Sequence, residues 1–190
     1  YTLSIIEFKK IIGLGNLEHG YRTPSSIFYL NSLFFLPGIK YYFLNGGAIL
    51  ILGFSNLYLI NRLLDRLKRN NTDLLFYLLL FSLTLINTSF YRISEHGTDK
   101  SSLILIFLFS CIYLESINID KNIIKNQLLF FYNKLIIILS LIISFKSFYL
   151  IYSIFLLTWF FQFKNFLLKK NFFINIIIKN YISYLSLLMI

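Results

Sequence analysis

The sequence predicts an all-α fold, a bundle of helices that cross a membrane, and three observations carry that expectation. Hydrophobic residues make up 57% of the chain and charged ones only 14%, against about 25% charged in ordinary soluble domains. A water-soluble fold of 190 residues has no interior large enough to hide so much apolar surface. The charges also fall in clusters with long uncharged runs between them, and about 20 apolar residues at 1.5 Å of helix rise each match a hydrocarbon core of roughly 30 Å. Finally, the runs are apolar on every side, whereas barrel strands would be segments of about ten residues with alternating character.

Along the chain, Tyr1 to Ile12 is short and mixed in polarity, which suits an interfacial helix better than a span. Gly13, Gly15 and Gly20 then loosen the backbone around Asn16, Glu18 and His19. Thr23-Pro24-Ser25-Ser26 is a helix-start pattern, with hydroxyls to cap and proline tolerated in the first turn. The helix it opens is expected over Ser25–Leu36, where Pro37-Gly38 stops it. At about 18 Å it is too short to cross alone, so a re-entrant or interfacial helix is expected. Residues 1–40 thus form an outer-face segment and residues 41–190 a transmembrane bundle, with spans at about 41–60, 74–91, 101–119, 127–145, 147–163 and a truncated one at 171–190. Lys134 interrupts the fourth span and Glu115 sits near the end of the third; the lysine is expected to snorkel and the glutamate to reach the interface. The Gly46-Gly47 pair is expected to serve close helix packing. Tyr1 in place of Met, and an apolar run still open at Ile190, suggest an internal fragment; no signal-peptide pattern opens it.

Orientation follows from the basic residues of the short loops. If the first span runs inward, the inner loops hold Arg62, Arg66, Lys68, Arg69, Lys121, Lys125, Lys164, Lys169 and Lys170, and the outer ones only Arg92, Lys100 and Lys146. This bias predicts a multi-pass protein of the inner (plasma) membrane with the 92–100 segment and the glycine-rich start on one outer face. The net charge of +10 then needs no nucleic-acid partner, because basic loops beside anionic lipid headgroups account for most of it. The single cysteine, Cys111, lies in an apolar run, so neither a disulfide framework nor a cysteine metal site is available. There is no Walker loop, no G-x-G-x-x-G and no H-E-x-x-H.

Two polar stretches and one lysine are the candidates for chemistry. Arg92 to Ser101 packs Glu95, His96 and Asp99 between two spans, with Gly97 permitting a tight turn. Carboxylates and an imidazole at a membrane mouth can serve as base, metal ligand or proton relay. The competing reading is a solvated loop in which Thr98 or Asp99 caps the next helix. Glu18, His19 and Arg22 form the second stretch; two ligands do not close a coordination shell, but a guanidinium binds phosphate bidentately. Lys146 splits an apolar stretch from Leu135 to Phe163, either as a turn marker that snorkels or as a partner for an anionic headgroup.

Positions 11 to 37, Ile-Ile-Gly-Leu-Gly-Asn-Leu-Glu-His-Gly-Tyr-Arg-Thr-Pro-Ser-Ser-Ile-Phe-Tyr-Leu-Asn-Ser-Leu-Phe-Phe-Leu-Pro, resemble a stretch found in bacterial multi-spanning proteins related to the GT-C glycosyltransferases. Glu-His-Gly-Thr-Asp at 95 to 99 is similar to a second outer motif of that family, and Phe145-Lys146-Ser147 to a third. The resemblance implies a GT-C-like bundle that takes a sugar from a polyprenyl-phosphate donor, with membrane lipid as its other partner. It implies a carboxylate base, usually in a first outer loop that would precede Tyr1; within this chain the catalytic candidates are Asp99, Glu95 and His96. Charge collecting on the leaving phosphate calls for cations, here Arg22, Arg92 or Lys146, and often for a divalent cation. The alternative is a non-enzymatic polytopic protein, a lipid or solute transporter or a membrane subunit of a respiratory complex. Transporters tend to show internal repeats and paired broken helices, and the sequence has no repeat and one broken region.

Overall fold

The structure is a computed structural model that describes residues 25–34, 43, 45–88, 98–118 and 125–167, with only the backbone of 98–99, 125–129 and 163–167. Every regular element among them is helical: α1 (Ser26–Ser32), α2 (Gly46–Lys68), α3 (Leu74–Thr88), α4 (Thr98–Ile117), α5 (Lys125–Phe145), a 3-10 segment (Ser147–Tyr152) and α6 (Ser153–Leu167). The all-α class is therefore correct. Two of these helices are long and apolar enough to cross a membrane, α2 and, over Lys100–Ile117, α4.

The observed boundaries differ from the expected ones in physically readable ways. The first short helix ends at Ser32, with Leu33 as its cap, before Pro37 is reached. Its successor starts at Gly46 rather than Tyr41, and runs on past Arg62, Asp65 and Arg66 to Lys68. Arginine and lysine in the last turn favour the negative end of the helix dipole, so charge does not end this helix. Asn70 ends it: at φ 50° it takes the left-handed conformation, its N–H bonds to Leu67 O and that of Asn71 to Arg66 O, the paired bonds of a Schellman stop. Asp73 then caps α3, its Oδ1 accepting the Phe76 N–H at 3.1 Å, and Arg66 pairs with Asp73 across the turn. Thr98 and Asp99 are the first two residues of α4, so Asp99 lies inside its first turn and not at the cap. The fifth span is split: Lys146 is extended (φ −154°, ψ 108°) and leads into the 3-10 turn, and α-helix resumes only at Ser153.

Residue pairs give the direction of each helix. Asn56 on α2 exchanges amide hydrogen bonds with Asn87 on α3, and Arg66 pairs with Asp73, so these two are antiparallel. Tyr58 and Arg62 both reach Glu115 on α4, while Ala48 shares a core cluster with Ile104. Thus α2 and α4 run in parallel. Tyr113 meets Thr158 and Ser116 meets Trp159, which aligns α6 with α4. The helices therefore alternate, and α4 is central. Its Leu105, Phe109 and Ile112 pack toward α1, α5 and α6, and its Ile104 and Cys111 toward α2 and α3. A helix buried on several sides has to be apolar all round, as this one is.

Large apolar side chains also cover the outside: Phe54 is 68% exposed, Leu74 76% and Phe161 66%. The polar side chains among them bond to their own helix. Thr84, Thr88 and Thr158 donate to the carbonyls three residues back, and Asn87 to Leu83 O. A surface whose hydroxyls need no water partner is compatible with lipid.

Candidate functional site

At one end of the bundle, α1 lies where α2, α4 and α5 meet. The approach to α2 is close because Gly46 and Gly47 lack side chains. A Cβ on Gly47 would stand 2.7 Å from Asn31 Oδ1 and 2.8 Å from Leu30 Cγ, and one on Gly46 2.6 Å from the Phe34 ring. The close-packing role read for this glycine pair is correct. On the other side Ser26 Oγ donates to Ser144 Oγ at 2.9 Å, and Ser144 Oγ donates in turn to Leu141 O. Ile27, fully buried, is held in one cluster with Leu105 of α4 and Phe145 of α5.

Three polar side chains in this end are buried and carry an atom with no hydrogen-bond partner: Ser25 Oγ, Asn31 Oδ1 and Ser101 Oγ. Their residues are 4%, 3% and 0% exposed. Buried polar atoms are ordinarily paired, and each exception asks for a ligand, water or ion to complete it. Ser25 and Ser26 open α1, Ser101 lies one turn into α4, and Ser144 and Lys146 close α5. Lys146 is partly buried at the corner, its N–H on Ile142 O and its carbonyl accepting the Tyr149 N–H.

Among the sequence candidates, then, Lys146 sits at this end and the backbone of Asp99 begins α4. The Asp99 side chain, and Arg22, Arg92, Glu95 and His96, lie outside the described residues, as do Glu18 and His19. What the structure does join is Ser26 of α1 and Ser144 of α5, through a hydrogen bond, with α1 also packed on α4. Among the described residues no three His, Cys, Asp or Glu side chains gather to hold a metal.

A second polar cluster, not foreseen as one, lies toward the opposite end. Glu115 accepts the Tyr58 hydroxyl at 3.0 Å and Arg62 Nη2 at 3.2 Å. The Lys134 ammonium lies 4.1 Å from the Phe130 ring centroid and 5.3 Å from that of Tyr58. Read one by one from the sequence, Glu115 and Lys134 are in the structure held by neighbours on other helices. The available signal was the Tyr58–Arg62 spacing of one helical turn in an otherwise apolar run. Beside this cluster Trp159, fully buried, donates from Nε1 to Ser116 Oγ at 2.9 Å and stacks on Tyr132 at 5.3 Å. These contacts fasten α6 to α4 and α5.

The described architecture defines the class of the chain as an all-helical bundle with membrane-length helices. No protein-family model, curated protein or solved structure matches it, so the likeness to GT-C proteins rests on the three motifs alone.

Proposed function

We propose that the chain is part of a multi-pass inner-membrane protein that holds a lipid-linked phosphate at its outer face and transfers the sugar attached to it, as in GT-C-like glycosyltransferases. The observation that carries this reading is the Ser26–Ser144 hydrogen bond, which ties the chain just after Arg22 to the chain just before Lys146, beside the start of α4. Supporting it are the unpartnered hydroxyls of Ser25 and Ser101, suited to donate to phosphate oxygens, and the lower basic charge expected at this end. In the reaction the bond between the sugar's anomeric carbon and the phosphate oxygen breaks, and the electron pair stays on the phosphate. Lys146, with Arg22 or Arg92, stabilises that charge. Asp99 or Glu95, with His96 beside them, removes the proton of the acceptor hydroxyl as its oxygen bonds to the sugar.

The test is photo-crosslinking of a polyprenyl-phosphate probe to the full-length protein in membranes, followed by a sugar-release assay. Lys146→Met nearly keeps the side-chain length and removes the charge with its N–H donors, so crosslinking is expected to fall about tenfold, the scale of one charge-assisted contact. Unchanged crosslinking counts against the site. Probe binding without any sugar release favours the non-enzymatic alternative.

A further inference from the structure

The cluster around Glu115 takes no part in the proposed reaction, and it holds a cation, Lys134, with no carboxylate at ion-pair distance among the described residues. Arg62 on α2 and Lys134 on α5 stand by the same ring, with the guanidinium carbon 5.5 Å and the ammonium nitrogen 5.3 Å from the Tyr58 centroid. Glu115 is engaged by Arg62 and by the Tyr58 hydroxyl, and the second carboxylate that acts on Arg62, Asp65, is exposed one turn further along α2. Lys134 forms no ion pair among the described residues; ring faces surround its ammonium, with Phe130 at 4.1 Å and Phe131 at 6.0 Å. Cation–π contacts offset only part of the desolvation of an ammonium, and a cation within a spanning helix calls for an anion.

The patch also opens sideways. Phe130, Lys134, Ile137 and Leu141 follow one another at helical spacing along one stripe of α5, and Phe130 is 54%, Ile137 40% and Leu141 41% exposed. An apolar stripe interrupted by one cation matches a phospholipid, acyl chains along the stripe and phosphate at the charge. Arg62 and Glu115 lie within the last two turns of α2 and α4, so the depth fits the boundary between headgroups and hydrocarbon.

We infer that Lys134 and Arg62 bind the phosphate of an anionic phospholipid in the leaflet at the basic end of the bundle. Lys134 supplies a charge that has no direct ion pair among the described residues, Arg62 its remaining N–H groups, and Glu115 sets the strength by holding part of Arg62 back. The inference rests on the membrane reading of the bundle but not on the outer-face site.

The experiment has two stages on the full-length protein. Membranes are first washed with alkaline carbonate; release of the protein overturns the membrane reading and this site together. The retained protein is then purified, and its binding of phosphatidylglycerol and of phosphatidylcholine is measured by native mass spectrometry, with inorganic phosphate as a competitor. Phosphatidylglycerol is expected to be retained preferentially. Lys134→Met should lower its retention about tenfold, Lys134→Arg should keep it, and Glu115→Gln should raise it. Equal retention in Lys134→Met and wild type overturns the site. If Lys134→Met does not fold, the other two variants decide: loss of lipid in Lys134→Arg, or no gain in Glu115→Gln, overturns it. Displacement by inorganic phosphate at equal concentration assigns the patch to a soluble anion and overturns the lipid.

Discussion

Arg62 on α2 reaches Glu115 on α4 at 3.2 Å, and the two side chains are 32% and 19% exposed. This pair joins two parallel helices that are not consecutive in the chain. Removing Glu115 leaves two cations facing each other with no carboxylate between them, whereas Glu115→Gln keeps an acceptor for the Tyr58 hydroxyl. Glu115→Ala is therefore expected to destabilise the bundle by about 2 kcal/mol, below the figure for a fully buried pair because the arginine is partly solvated. Glu115→Gln should cost less. Thermal unfolding in detergent measures both, and additive effects of Arg62→Gln and Glu115→Gln would show that the pair contributes nothing.

At Gly47 the distances give the sign of a substitution directly. An added Cβ would overlap both Asn31 Oδ1 and Leu30, while at Gly53, further along the same helix, nothing lies within 4 Å. Gly47→Ala is expected to push α1 off α2 at a cost of about 1–3 kcal/mol. Gly53→Ala should be neutral, or stabilise by up to about 1 kcal/mol through helix propensity. Limited proteolysis within α1, compared between the two variants, checks the contrast. Equal protection would mean that α1 does not depend on this approach.

The helices were legible because their signal is apolar length, which needs no partner to be read. Gly46-Gly47 was legible for a related reason, since small residues in an apolar run have few uses besides close packing. The turn at 69–73 was less so: Arg66, Asn70 and Asp73 read as a charged loop, and only the left-handed Asn70 and the capping Asp73 make it a defined stop and start. The charged cluster stayed hidden because Tyr58, Glu115 and Lys134 lie on three helices and meet only through packing. Of the outer site, sequence placed Lys146 at a break between helices, which the extended backbone bears out. Ser25 and Ser26 read as capping hydroxyls, but Ser25 makes no side-chain cap bond and Ser26 reaches Ser144 instead, while Ser101 and Ser144 carry no signal of their own because serine in an apolar helix ordinarily bonds its own backbone.

Trp159 is the sole tryptophan and is fully buried, so tryptophan fluorescence reports one site in the chain. Emission is expected in the short-wavelength range of an apolar setting, with little quenching by acrylamide. Ser116→Ala leaves the indole N–H without its acceptor, at a cost of about 1–3 kcal/mol. Trp159→Phe removes donor and need together, but loses part of the stack on Tyr132. A Ser116→Ala protein with unchanged stability would show that the indole finds another partner.

The turn between α2 and α3 should respond to acid. Slight burial pushes the Asp73 carboxyl up, but the hydrogen bonds from Arg66 and the Phe76 N–H, together with the guanidinium charge, outweigh it and hold the group below the usual carboxylate range. A carboxylate with a lowered folded pKa contributes stability above its unfolded value of about 3.9, lost as pH falls through the folded value. Asp73→Asn should therefore be less stable than wild type at neutral pH, and the difference should shrink below about pH 4. A difference that persists undiminished into strong acid would mean that the cap, and not the charge, carries the effect.

The alternation of helices makes orientation testable at two positions. Asn71 is exposed in the turn between α2 and α3, and Ser147 is exposed at the opposite end, just after α5. Cys111, buried against Ser82, is the sole native cysteine, so a Cys111→Ser background supplies a blank. The excess of Arg and Lys in the 62–73, 120–126 and 164–170 segments predicts that the Asn71 end faces the cytoplasm. With a membrane-impermeant maleimide on intact cells, Ser147→Cys is expected to be labelled and Asn71→Cys only after permeabilisation. The reverse pattern would turn the bundle over and move Lys146 and the start of α4 inside, where an outward-facing donor lipid could not reach them. Labelling of both in intact cells would show that at least one of the intervening helices does not cross.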